Sequence, residues 1–240
     1  MHALADVLYP EACLSCGRLT RGGFCAGCLQ RLPPPGPEVC RRCGAACRAP
    51  VPSCRDCRGR AVVFDRALQS VEFRGPARRA VLLLKYRGQY ALAQTLALRI
   101  GEAARELGAE AVTWVPMSPK RLSARGFDHG RLLAEASAEI LGLPSSGLLT
   151  RIRDAPPQVG LEPDVRRRNL EGAFQAVLPP PRVVLVVDDV YTTGATASEA
   201  ARALKAFGAR TVYSVSFARS SWRGLDPSAG QTYNRASSWR

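Results

Sequence analysis

The chain has 240 residues, 46% of them hydrophobic, with 34 Lys and Arg against 20 Asp and Glu and a formal net charge of +14. That length accommodates one large domain and a small module, and no window of 18 apolar residues exists to cross a membrane. The first residues, MHALADVLYPEACLSCG, lack the basic n-region of a secretory leader, so a cytoplasmic protein is expected.

The positive balance points to an acidic partner or a nucleic acid. Lys85, Lys120 and Lys205 are the only lysines, so a compositional bias towards arginine contributes to that balance whatever the function. All nine cysteines fall between Cys13 and Cys57. Eight of them form C-x-x-C pairs: Cys13/Cys16, Cys25/Cys28, Cys40/Cys43 and Cys54/Cys57. Paired cysteines at these separations read as zinc knuckles, and four pairs imply two ions held by four thiolates each. Two pairings share these spacings. One is sequential, as two ribbons in tandem, and the other is cross-braced, first pair with third and second with fourth. A redox disulfide module is a third reading. Cys47 is left over and is expected to be a free thiol. Nine arginines against Glu38 and Asp56 make the segment from Cys13 to Arg60 basic. Two zinc–tetrathiolate sites, each carrying a net −2, bring its excess from +7 to +3. With few large apolar residues, residues 1–60 would take much of their folding energy from zinc. Pro33-Pro34-Pro35 is a stiff spacer between the halves.

A second domain spans residues 61–220. Val62-Val63-Phe64 and Ala67 to Phe73 read as strands. Gly75-Pro76 opens a helix from Ala77 to Leu84, which is broken by Leu84-Lys85-Tyr86-Arg87-Gly88. A longer helix runs from Tyr90 to about Leu107, with Leu92, Leu96, Ile100 and Ala103 at helical spacing. Tyr86 and Tyr90 beside basic residues could stack on a base, although packing at a helix junction is the commoner use of such a pair. Ala111 to Pro116 is a buried strand. The loop after it carries Met117, Ser118, Lys120 and Arg125, groups suited to an anion at the carboxyl edge of an α/β sheet. Arg125 has two readings, a bidentate phosphate contact or a surface ion pair with Asp128. His129 opens a helix from Arg131 to Leu141 and is an acid–base group or an ordinary helix-start residue. Leu149 to Phe174 reads as a long polar loop with Pro156-Pro157, Gly160, Pro163 and the run Arg166-Arg167-Arg168, of the kind that forms lids. Residues 221–240 form a polar tail.

The densest stretch is Val183 to Ala200, VVLVVDDVYTTGATASEA. Val183 to Val187 reads as a buried parallel strand. Asp188 and Asp189 follow, then Val190-Tyr191-Thr192-Thr193-Gly194-Ala195-Thr196, then a helix with Ala200, Ala203, Leu204 and Phe207 at its spacing. A strand, a tight turn and a helix N-terminus make an anion site from unpaired N–H groups and the helix dipole. Thr192, Thr193 and Thr196 add hydroxyl donors. The two carboxylates accept hydrogen bonds only and would repel a phosphate, so they suit hydroxyls or a cation. Phosphate on one side and a diol on the other describe a phosphorylated ribose.

This stretch resembles the phosphoribosyl-pyrophosphate (PRPP) signature of type I phosphoribosyltransferases. With the four cysteine pairs, Leu-Lys-Tyr-x-Gly, Val-Pro-x-x-x-x-Arg, Arg-Gly-Phe-Asp-His, Pro-Gln-x-x-Leu and Arg-x-x-Asn-x-x-Gly-Ala-Phe, the chain is similar to the ComF family of competence-associated proteins from about Tyr9 to Phe217. Asp128-His129 departs from the Asn-Gln that the family tends to have. The resemblance implies an α/β type I phosphoribosyltransferase fold, an open, mostly parallel sheet flanked by helices, behind a double zinc ribbon. It implies a site for PRPP with Mg²⁺. Asp188 and Asp189 would act on the ribose, Val190 to Thr196 would bind PRPP, and Pro116, Met117, Ser118, Lys120 and Arg125 would form the pyrophosphate loop. It further implies a role in uptake and handling of single-stranded DNA during natural transformation, with a helicase-type competence protein as partner. The alternative is an active transferase that moves phosphoribose to an unidentified acceptor.

Overall fold

The computed structural model describes residues 12–59, 62–153 and 168–220. In chain order the elements are α1 (Ala26–Gln30), α2 (Arg55–Arg58), β1 (Arg66–Glu72), α3 (Gly75–Arg87), α4 (Ala91–Ala104), β2 (Ala111–Trp114), α5 (Pro119–Arg125), α6 (His129–Leu141), β3 (Leu149–Arg151), β4 (Phe174–Ala176), β5 (Val183–Tyr191), α7 (Ala195–Ala206) and β6 (Thr211–Arg219). Four strands form one sheet in the order β1-β6-β5-β2, and every pairing is parallel. The apolar run of β5 therefore lies in the sheet interior with a strand on each side, which is why it needs no polar alternation. Its period of two divides the core. Leu185 and Val187 pack with Val81 and Leu84 of α3, Leu92 and Leu96 of α4 and Leu133 of α6. Val184 and Val186 pack with Ala200, Ala201 and Leu204 of α7.

The elements differ from the sequence expectation in ways that matter for the site. β5 extends through Tyr191, so Asp188 and Asp189 lie within the strand rather than after it. Val62 to Phe64 is not a strand. Arg42 of the second ribbon donates to the Val62 carbonyl, and Phe64 is fully buried. α3 does not break at Leu84. Lys85, Tyr86 and Arg87 are ordinary helix formers, and the helix stops only at Gly88, whose φ of 63° is a left-handed cap. The loop after β2 contains α5, because Ser118 caps it and Pro119 fits its first turn. The ends of the expected long loop pair as an antiparallel ladder, Leu149 to Ala176 and Arg151 to Phe174. Residues 154–167, including Arg166 and Arg167, and the tail 221–240 lie outside the described residues. β6, which the sequence reading left unassigned, supplies the partner of both β1 and β5.

The cysteine module covers the sheet's β1 edge. Ala67 donates its N–H to the Arg42 carbonyl at 2.7 Å and Glu72 donates to Pro33 at 2.8 Å. Both are β1 amides that an edge strand would otherwise present to solvent. Phe24, Leu29 and Leu32 are buried against the α3–α4 face, while Cys40, Cys43 and Cys57 are buried with Phe64 and Ala67 on the other face.

Candidate functional site

The two carboxylates of β5 sit side by side in the chain but in different surroundings. Period two sends Asp189 to the face of α3 and α6 and Asp188 to the face of α7. Asp189 is 4% exposed. Lys85 Nζ, from the last turn of α3, lies 2.8 Å from both of its oxygens. His129 Nε2, from the start of α6, lies 2.5 Å from Oδ2. Burial alone would raise the Asp189 carboxyl, but Lys85 and then His129 outweigh it and hold the group well below the usual carboxylate range. Asp188 is half-buried and accepts from the Asp189 N–H at 2.8 Å. Desolvation, and then the charge of Asp189, push it up to about 7. The sequence reading gave both residues one task. Here Asp189 anchors three elements, and Asp188 is the carboxyl with no cation within ion-pair distance among the described residues.

His129 is held from both sides. Arg125 Nη1 lies 2.8 Å from its Nδ1. A guanidinium only donates, so Nδ1 accepts and the ring proton sits on Nε2, facing Asp189. Arg125 also lies over the Tyr86 ring, 5.1 Å from its centroid. The alternative expectation, an Arg125–Asp128 pair, is not what forms. Asp128 caps α6, accepting from the N–H groups of Gly130 at 2.9 Å and Arg131 at 3.2 Å, and from Met117 at 3.3 Å. It works as an acceptor throughout, so the family's amide donor is not needed at this position. Its charge also complements the helix dipole.

The remaining loop residues divide clearly. Ser118 is 3% exposed and its hydroxyl accepts from the Arg121 N–H at 3.4 Å, as the α5 cap. The Met117 N–H is committed to Asp128. The Met117 N–H is therefore not free for a leaving group, while the Ser118 hydroxyl, accepting here, keeps its own O–H donor. Pro116 is half-buried between β2 and α5, while Lys120 is exposed on the first turn of α5.

After β5 the chain turns through Thr192 and Thr193, both half-buried, to Gly194, which precedes α7 with φ 79°. A Cβ on Gly194 would stand 2.3 Å from Tyr191 Oη, so the position needs glycine for space as well as conformation. The Ala195 N–H donates to Thr193 Oγ1 at 3.3 Å. Thr193 thus satisfies one first-turn N–H of α7, and by helix geometry the other first-turn N–H groups lack intrahelical acceptors. Thr196 is half-buried in that turn and Val190 is half-buried just before it. Tyr191 is itself clamped. Arg219 lies 4.7 Å over its ring, and Phe64 meets it edge-on at 6.3 Å.

The cysteines gather as two clusters in sequential order: Cys13, Cys16, Cys25, Cys28 and Cys40, Cys43, Cys54, Cys57. The cross-braced alternative is thereby removed. All nine thiols are unbonded to one another. The Cys16–Cys25 sulfurs are 3.9 Å apart and the Cys43–Cys54 sulfurs 3.7 Å. A tetrahedron of thiolates at about 2.3 Å from zinc has edges of about 3.8 Å, so both clusters have the dimensions of zinc sites. Cys47 stays outside both, with its thiol 3.3 Å from the Ala45 carbonyl.

Lys85 was missed by the sequence reading. In a chain with three lysines among 34 basic residues, a lysine is itself a signal, and two of the three reach a carboxylate: Lys85 on Asp189 and Lys205 on Asp65.

Fold and site together define a parallel α/β protein with a double zinc ribbon. Residues 4–58 match the double zinc ribbon domain family. The chain is 31% identical over 207 residues to DNA utilization protein YhgH of Salmonella typhimurium, covering 81% of this chain and 89% of the relative. It is 26% identical to competence protein F of Haemophilus influenzae, covering 86% and 96%, and 26% identical to competence protein ComFC of Streptococcus pneumoniae, covering 56% and 60%. Among solved structures, it is similar to glutamine PRPP amidotransferase of B. subtilis (TM-score 0.38, 21% identity, 53% of this chain and 26% of that chain). It is also similar to orotate phosphoribosyltransferase from Aeropyrum pernix (TM-score 0.33, 25% identity, 55% and 61%). The chain belongs to the ComF/YhgH family of competence and DNA utilization proteins.

Proposed function

We propose that the carboxyl edge of β5 binds PRPP, carried as its Mg²⁺ chelate, and that the protein uses this site in handling single-stranded DNA during uptake. The observation that carries the reading is the pairing, at one strand end, of the α7 N-terminus behind the Gly194 turn with a carboxyl, Asp188, that has no cation within ion-pair distance among the described residues. Thr192, Thr193, Thr196 and the first-turn N–H groups suit the 5′-phosphate. Asp188 faces the same side and suits the ribose hydroxyls. Asp189, with Lys85 and His129, fixes the strand end rather than meeting the ligand. Mg²⁺ enters with the pyrophosphate, since Asp189 is already paired. Lys120 and Arg125, at the two ends of α5, are the cations of this loop suited to the leaving group, while Met117, Ser118 and Pro116 shape the turn. The names of the relatives, a DNA utilization protein and two competence proteins, support the DNA-handling part of the reading; the cytoplasm and a helicase-type partner are part of the same proposal.

A transferase reading has one observation in its favour: a carboxyl held at about 7 suits a general base. Calorimetry with Mg²⁺ and PRPP, followed by product analysis with candidate acceptors, separates the two. Binding with no pyrophosphate release supports a binding protein, and release supports a transferase. No binding by the wild-type protein contradicts both.

A further inference from the structure

Beside Asp189, and sharing Arg125 with the pyrophosphate side of the proposed PRPP site, lies a cleft of about 360 Å³. Its lining includes Lys85, Tyr86, Tyr90, Arg121, Arg125 and Phe127. Sequence reasoning favoured packing for the two tyrosines, and the structure shows otherwise: Tyr86 is 61% exposed and Tyr90 55% exposed. They flank Gly88, where α3 ends with φ 63° and α4 begins, so the helix junction sets both rings at the surface. Tyr90 meets Phe127 edge-on, with ring centroids 4.8 Å apart and planes at 88°. Arg125 lies over Tyr86 and is fixed by His129. Three aromatic rings thus stand among three cations.

Resting on the DNA-handling reading above, we propose that this cleft binds single-stranded DNA, with bases stacked on Tyr86 and Tyr90 and the phosphate backbone against Arg121 and Arg125. Two features favour a strand over a free nucleobase. The lining side chains offer cations and phenols but no carboxamide, carboxylate or aliphatic hydroxyl to read a base edge. Stacking on exposed rings beside arginines is tolerant of sequence and pairs naturally with backbone phosphates. The cleft also adjoins the Arg125–His129–Asp189 chain, which puts a bound strand next to the β5 edge.

The test is fluorescence anisotropy with a labelled oligothymidylate of roughly 10 nucleotides. Tyr86→Ala and Tyr90→Ala should each weaken binding about tenfold, and Tyr86→Phe and Tyr90→Phe should bind like wild type. Binding should fall steeply with salt. Crosslinking of a 4-thiothymidine strand to wild-type protein should label the peptide around Tyr86 and Tyr90, a readout that needs no variant to fold. Unchanged affinity in folded alanine variants, crosslinks confined to other peptides, or no binding by wild type overturns the proposal. So does full competition by thymidine monophosphate at the same concentration as the strand, which would make this a mononucleotide pocket. PRPP calorimetry on Tyr90→Ala, which does not carry Arg125, should be unchanged from wild type. Absent PRPP binding with intact DNA binding would count against the PRPP reading and leave the cleft standing.

Discussion

The two zinc clusters share a ligand set and a spacing logic, yet they do different work. The first packs on helices, with Cys13 and Cys28 buried there. Cys16 is exposed, and the ribbon meets the domain through Phe24, Leu29 and Leu32 on the α3–α4 face. Its tight turn is fitted closely, since a Cβ on Gly22 would stand 2.3 Å from Thr95 Oγ1 and one on Gly23 2.4 Å from Leu92 Cδ2. The second is built against the β5–α7 turn. Cys40 and Cys43 are almost wholly buried. Arg219 donates to the Cys43 carbonyl at 2.6 Å and to Gln69 Oε1 at 3.0 Å, and the same guanidinium covers Tyr191. Tyr191 in turn stands against Gly194 at the β5–α7 turn. A repeated motif therefore staples two helices in one copy and buttresses a loop in the other.

That contrast is broken most directly by removing one thiolate from each cluster. Cys43→Ser should lose one zinc per chain, lower Tm by about 10 °C or more, and abolish PRPP binding. Cys16→Ser should also lose one zinc, with a smaller fall in Tm, and keep PRPP affinity within about threefold, because its cluster touches no residue of the ligand turn. Metal analysis with calorimetry checks both. Equal loss of PRPP binding in the two variants would show that the ribbons act as a single folding unit.

A smaller effect is expected at the paired carboxylate. Asp189→Asn leaves Lys85 without its partner in a site only 23% open to solvent at the lysine, and should cost about 3 kcal/mol by denaturant unfolding. Lys85→Met with Asp189→Asn should recover part of that loss, which a double-mutant cycle reads directly.

Smaller again is the pH effect of Asp188. Its folded value lies above its unfolded one, so the unfolded chain gives up the proton first as pH rises. The carboxyl's contribution is therefore unfavourable above about pH 4 and grows until about pH 7. Asp188→Asn should be more stable than wild type by about 2 kcal/mol near pH 8, less than the full shift would give because the carboxyl is half-buried, and the gain should vanish below about pH 4.

Much of this was legible in the residues. The β5 run, the Thr-Thr-Gly turn and the four cysteine pairs are local patterns, and each is realised at its expected place. What could not be read is what depends on distant parts meeting. The cluster pairing needed coordinates because two arrangements share the same spacings. Lys85 and Asp189 are 104 residues apart, and no local signal ties them together. Ser118-Pro119 has the N-cap and N1 chemistry of a helix start, but α5 is only seven residues long and has no buried residue, so no apolar periodicity marks it. The separate surroundings of Asp188 and Asp189 follow from strand alternation, but only once β5 is known to extend through Tyr191. The ribbon's contacts with Ala67, Glu72 and Arg219 join chain segments that composition alone divides.

If the β5–α7 turn holds PRPP, binding depends on Gly194. Titration of PRPP with Mg²⁺ by calorimetry should give one site per chain in the wild-type protein. Gly194→Ala, strained at φ 79° and in collision with Tyr191, should show no detectable binding while keeping both zinc ions and its circular dichroism spectrum. Equal heats from the two proteins, or none from the wild type, would contradict the account.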